Sequence, residues 1–270
     1  MAYTVNCSIL LTELPLLERP PAAKAAGFDA VEFWWPFADS VPADREVDAF
    51  IGAIRDAGVQ LTGLNFAAGD LPAGDRGLVS WMGRESEFHD NIDVVVGIGR
   101  ALGTTGFNAL YGNRSADVDR EAQDATGAAN LAAAAAGVAA IGGTVLLEPV
   151  SGVPRYPLRK AADVLTVIDR VGAANVKLLA DFYHLAVNGD DVAAVIEDHA
   201  ADFGHIQIAD APGRGAPGTG ILPLRAWIDR SRELGYAGPV SLEYAAAIDD
   251  AFAWMAAPTA DPATAPETAD

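Results

Sequence analysis

The chain repeats one pattern of apolar and polar positions: an alanine-rich amphipathic run, a glycine, then a short apolar run that closes on a polar residue. The repeats read "AAKAAGFDAVEFW", "IRDAGVQLTGLNF", "RALGTTGFNALYG", "AAIGGTVLLEP" and "RELGYAGPVSLEY". Gly27, Gly58, Gly103, Gly142 and Gly235 fall where each amphipathic helix would close on a residue at positive φ. The runs after them are rich in Val, Leu, Ile and Phe without strict alternation. Strands of a parallel sheet covered on both faces read this way.

Adding "YTVNCSIL", "VKLLADFYH" and "FGHIQIAD" gives eight strands, near residues 3, 29, 59, 106, 144, 176, 204 and 239. Eight strands alternating with helices over about 250 residues predict an α/β fold of the (β/α)8 TIM barrel type, here spanning 1–255. A doubly wound open sheet is the rival, but no G-x-G-x-x-G follows the first strand, so a dinucleotide site lacks support. From about residue 256 the chain turns to Pro, Ala, Thr and acids without periodicity, which predicts a disordered tail over 256–270. Two long irregular stretches, "FAAGDLPAGDRGLVSWMGRE" and "ADAPGRGAPGTGILP", follow strands three and seven. In a barrel, that end is the catalytic face.

Composition narrows the partners. At 51% hydrophobic residues over 270 positions, the chain has ample material for a large core. Lys and Arg number 18 against 37 Asp and Glu, a net charge of -19, which opposes binding to nucleic acid or to anionic membranes. The same excess favours cations wherever carboxylates converge. Cys7 is the single cysteine, so an intrachain disulfide and a thiolate zinc cluster are both excluded. No apolar run approaches the roughly 20 residues of a membrane span, and the first residues lack the basic start of a signal peptide. These features fit the cytoplasm, and they are compatible with a homo-oligomer.

The polar residues that close the strands are Asn6, Glu32, Asn65, Asn108, Glu148, Asp181, Gln207 and Glu243. On a barrel they ring one mouth. An asparagine there serves equally well as a strand cap bonded to backbone. A carboxylate at the end of a buried strand needs a counter-charge or a cation to offset its desolvation. Glu148, Asp181, Gln207 and Glu243, from strands five to eight, form an all-oxygen set suited to Mg2+ or Mn2+. An octahedral ion with four protein ligands keeps two positions for adjacent substrate oxygens, such as a carbonyl and its neighbouring hydroxyl. That arrangement acidifies the C–H between them, so aldose-ketose isomerisation or epimerisation follows, with a carboxylate moving the proton.

Several further residues have two readings. His184, one helical turn beyond Asp181, can reach a substrate oxygen or merely orient a ligand carboxylate. His205 lies two residues before Gln207 on the same strand, so the two point the same way and either can be the ligand. Arg214, in "APGRGAPGTG", suits a substrate carboxylate or hydroxyl, or is a solvent-facing loop arginine; Arg84 and Arg155 share that ambiguity. His89 and His199 read as surface residues. Trp34 and Trp35 can line an apolar wall of the pocket or pack in the core.

"NCSILLTELPLLERPPAAKAAGFDAVEFWWPF", "NFAAGDLPAGDRGL", "LLEPVSGVPRYPL", "LLADFYHLAVNGDD", "HIQIADAPGRGAPGTG" and "SLEY" together resemble the hydroxypyruvate isomerase family of the xylose isomerase-like TIM barrels. The resemblance runs from about residue 3 to 245 and agrees in order, spacing and chemistry. It implies interconversion of hydroxypyruvate and tartronate semialdehyde, with relatives acting on four-carbon oxo-tetronates and more distant ones epimerising ketohexoses. It implies metal ligands at Glu148, Asp181, Gln207 and Glu243, an acid/base pair in Glu148 and Glu243, and substrate contacts at His184 and Arg214. Two positions depart from the family pattern and would flank the site: Ile221, where many relatives have Glu, and Ala245, where many have Lys.

Overall fold

The computed structural model describes residues 3–256. The tail expected from residue 256 lies outside the described residues, apart from Ala256 at the end of a 3-10 turn. Eight parallel strands close into a barrel in chain order. They are β1 (Thr4–Asn6), β2 (Ala30–Phe33), β3 (Gln60–Asn65), β4 (Gly106–Asn108), β5 (Thr144–Leu147), β6 (Val176–Asp181), β7 (Phe203–Ile208) and β8 (Val240–Leu242). Each begins at or next to its expected position, so the (β/α)8 barrel read from the sequence is the fold.

The helices between them are α1 (Arg19–Ala25), α2 (Asp44–Ala57), α3 (Glu85–Leu102), α4 (Arg120–Ala139), α5 (Ala161–Val171), α6 (Phe182–Val187), α7 (Val192–His199) and α8 (Leu224–Glu233). Their apolar spacing decides which face turns inward: in α3 the buried stripe is Phe88, Ile92, Val95 and Ile98, three and four residues apart. Burying each such side chain contributes about 1.5–3 kcal/mol. The five glycines expected to end helices all have positive φ. Among the described residues no helix is long and apolar enough to cross a membrane.

Two loops rise over the C-terminal ends of the strands. The first, residues 66–84, follows β3 and is tied down at Gly77, whose N–H donates to Ala68 O at 2.9 Å. Gly77 has φ 114°, and a Cβ there would lie 1.8 Å from Leu110 O, so only glycine lets this loop press against the end of β4. The second, residues 209–223, follows β7 and is organised by Asp210. This carboxylate is buried and accepts N–H bonds from Ala211 (2.8 Å), Gly218 (2.9 Å) and Leu222 (3.0 Å).

Candidate active site

The barrel geometry converts four distant positions into one cluster. Asp181 ends β6 opposite Gln207 of β7, while Glu148 and Glu243 stand one residue beyond β5 and β8. All four are at most 5% exposed. Ligand atoms of Glu148, Asp181, His184 and Glu243 can lie within 4.8 Å of one another.

Local structure aims each side chain. The chain passes from β6 into α6 without a loop, so Asp181 is both a strand end and a helix N-cap. Its Oδ1 accepts from Tyr183 N (2.8 Å) and His184 N (3.1 Å), which leaves Oδ2 buried without a hydrogen-bond partner among the described residues. Asn108 Nδ2 donates to Glu148 Oε2 at 2.7 Å. Glu243 Oε1 accepts from Trp34 Nε1 (2.7 Å), Asn6 Nδ2 (3.0 Å) and Gln207 Nε2 (3.3 Å), and its Oε2 accepts from Arg214. Gln207 Nε2 also donates to Glu32 Oε1 at 2.7 Å. With its nitrogen turned to two carboxylates, Gln207 keeps its Oε1 buried and, among the described residues, unpartnered.

Three carboxylates with one guanidinium are too negative to bury comfortably. Burial pushes Glu148 well above the usual carboxylate range, and the nearby Glu243 and Asp181 charges push the same way. Burial likewise raises Glu243 to about 7 and raises Asp181, with Arg214 pulling both back. The orphaned oxygens and the repelling carboxylates together fit a hard divalent cation, whose charge would relieve both. Glu32 behaves differently: burial alone would raise it, but His205 and Gln207 beside it hold it below the usual range.

His184 is neutral here, because burial and then Arg214 push it down to about 3. Its Nδ1 accepts from Ser151 N at 3.1 Å, and a backbone amide can only donate. The network therefore assigns the ring hydrogen to Nε2, which lies 3.6 Å from Asp181 Oδ2 and 3.8 Å from Glu148 Oε1. In this tautomer His184 offers the cluster a donor and no lone pair.

The other sequence readings separate cleanly. His205 Nε2 lies 2.7 Å from Glu32 Oε2, while Gln207 Nε2 reaches both Glu32 (2.7 Å) and Glu243 (3.3 Å), so of the two only Gln207 bonds a carboxylate of the cluster. Trp34 lines the cavity above the carboxylates, whereas Trp35 stacks edge-on against Phe37. Arg214 is drawn into the cluster; Arg84 pairs with Glu87 and Arg155 is exposed. His89 is exposed and His199 half-buried beside Asp202. Ile221 does not flank the cavity as expected: it is 83% exposed and is not one of the residues that line it. Ala245 is exposed, and its N–H donates to Arg214 O at 2.9 Å.

Asp210 escaped the sequence reading, although an acid opening a glycine-rich loop is a signal for side-chain capping of backbone amides. It also closes a backbone bridge to Gly215, which holds Arg214 between them at φ 55°. Asp210→Ala strands three amides, so we expect a loss of about 2–4 kcal/mol of stability in denaturant melts, with a lower kcat/KM. An unchanged melt midpoint would show that the loop is held by other contacts.

Comparison with known proteins agrees with the barrel fold. The family model described as Xylose isomerase-like TIM barrel matches residues 20–258. A Streptomyces coelicolor protein provisionally named a hydroxypyruvate isomerase is 53% identical, over 94% of this chain and 95% of that protein. The 2-oxo-tetronate isomerase of Cupriavidus necator is 36% identical over 90% of this chain and 92% of its own length. The hydroxypyruvate isomerase of Escherichia coli K12 is 32% identical over 90% and 93% respectively.

Proposed function

Since the chain belongs to the xylose isomerase-like TIM barrel family, we propose that it is a divalent-metal-dependent isomerase interconverting hydroxypyruvate and tartronate semialdehyde. The observation that carries this reading is the pair of buried, unpartnered oxygens, Asp181 Oδ2 and Gln207 Oε1, among carboxylates that repel one another. Glu148, Asp181, Gln207 and Glu243 would hold Mg2+ or Mn2+. When bound, the ion would supply Lewis-acid polarisation of two adjacent substrate oxygens, which acidifies the C–H between them.

The chain's own residues do the rest. One of Glu148 and Glu243 takes the proton from C3 of hydroxypyruvate, and the other delivers a proton to C2 of the enediolate. The O3 hydroxyl gives up its proton and O2 gains one, so C3 becomes the aldehyde and C2 the carbinol without an outside oxidant. His184 donates from Nε2 to a substrate oxygen, its ring fixed by Ser151. Arg214 steadies Glu243, and its other terminal nitrogen, without a partner among the described residues, donates to the substrate. Trp34 and the walls of the cavity, about 500 Å3, restrict water around the enediolate.

A four-carbon oxo-tetronate is the second reading, supported by room in that cavity and by the Cupriavidus necator relative. Purified protein with Mg2+ or Mn2+ should convert hydroxypyruvate to tartronate semialdehyde, followed by NMR of the C2 and C3 protons. Faster turnover of oxo-tetronates would shift the assignment to the four-carbon acid. No turnover of any three- or four-carbon oxo acid would overturn both.

A further inference from the structure

Two guanidiniums line the cavity above the carboxylates, Arg214 and Arg76. The charge of Arg214 is already paired: its Nε donates to Glu243 O at 3.2 Å, one terminal nitrogen donates to Glu243 Oε2 and lies 3.8 Å from Asp181 Oδ2, and only the other terminal nitrogen is open among the described residues. That of Arg76 is not. One terminal nitrogen donates to the carbonyls of Leu71 (2.9 Å) and Asp75 (2.6 Å), while its Nε and second terminal nitrogen have no partner among the described residues. No carboxylate lies within ion-pair distance of it there.

Its position is fixed from below. Gly112 N donates to Arg76 O at 2.9 Å, and the next residue is Gly77, which can press against Leu110 only because it has no Cβ. A half-buried guanidinium with one nitrogen anchored and two open N–H groups offers the fork that a carboxylate accepts in bidentate fashion. The wall beside it, including Leu71, Pro72 and Leu110, is apolar, which strengthens such a pair.

The charge arrangement gives this arginine a task. A hydroxy-oxo acid whose two oxygens sit at the acidic cluster must direct its own carboxylate away from Glu148, Asp181 and Glu243. A neutral sugar would leave the open guanidinium with nothing to neutralise. We propose that Arg76 is the residue that recognises the substrate carboxylate, so that the site selects short hydroxy-oxo acids over neutral ketoses. This deepens the functional reading above, on which the placement of the two oxygens rests.

Calorimetry on the metal-loaded protein tests it without turnover, using glycerate, an unreactive three-carbon hydroxy acid, and glycerol, its uncharged counterpart. The wild type should bind glycerate about tenfold or more tighter than glycerol, a difference of ~1.4 kcal/mol or more. Arg76→Gln should abolish most of that preference, and Arg76→Lys should restore part of it. In kinetics, Arg76→Gln should raise the KM for hydroxypyruvate at least about tenfold with kcat within about threefold, at an unchanged melting temperature. If Arg76→Gln keeps the glycerate preference while the wild type still isomerises hydroxypyruvate, the role of Arg76 is overturned and the proposed function stands. If the wild type prefers neutral ketoses to oxo acids, both fall.

Discussion

Glu148→Gln and Glu243→Gln should each lower kcat by about a hundredfold or more, since a positioned acid or base contributes that much to proton transfer. Glutamine preserves the shape and the bonds each glutamate accepts: Asn108 can still donate to position 148, and Trp34 and Asn6 to position 243. It cannot take or deliver a proton. A structural role predicts the opposite balance, with stability lost and rate spared. Here the metal-free protein should melt no lower in Glu148→Gln than in the wild type, because that change removes one of three carboxylates whose charges oppose each other. Glu243→Gln is expected to be less benign, since Arg214 would lose its nearest carboxylate and keep the more distant Asp181 and Glu148. Each variant is assayed at saturating metal and hydroxypyruvate; kcat above a tenth of the wild-type value in both would remove the glutamates from the chemistry.

The four cluster residues were legible because a barrel places every strand end on one mouth, so eight positions in sequence reduce to a ring in space. The buried carboxylates then stood out by cost alone. What they bond to was not legible, because the partners arrive from strands far apart in the chain: Asn6 donates to Glu243 across 237 positions, and His205 meets Glu32 across 173. Spacing put His205 and Gln207 on one side of β7 and could not say that both side chains reach Glu32. Nor could it show that Arg214 is drawn inward while Ile221, seven residues on in the same loop region, is exposed. That difference depends on Asp210 folding the loop around its carboxylate, a tertiary arrangement of amides with no periodic trace. Arg76 was hidden for a similar reason: its task depends on which of its nitrogens the loop carbonyls leave open.

Stripping the metal should abolish turnover and change how stability responds to pH. In the metal-free protein, Glu243 is raised to about 7 and Glu148 and Asp181 are raised as well. A carboxyl whose folded value lies above its unfolded value of about 4.3 stabilises the fold fully below that value and loses the contribution as pH rises through the folded value. For Glu243 that window is roughly pH 4.5 to 7, and the loss is on the order of 3 kcal/mol. Glu32, held low, has the opposite sign and acts only at more acid pH. A bound cation favours the ionised carboxylates, so binding releases protons and should tighten across the same window. Mn2+ at about a hundredfold over its Kd adds ~2.7 kcal/mol to stability. The rise in melting temperature on adding Mn2+ to chelator-treated protein should therefore be larger at pH 8 than at pH 5.5, at constant ionic strength. Asp181→Asn should shrink it at both, since the change removes a ligand charge but keeps the side chain's shape. An equal rise at the two pH values would mean that the ion binds where no raised carboxyl must ionise, away from the cluster at the barrel mouth.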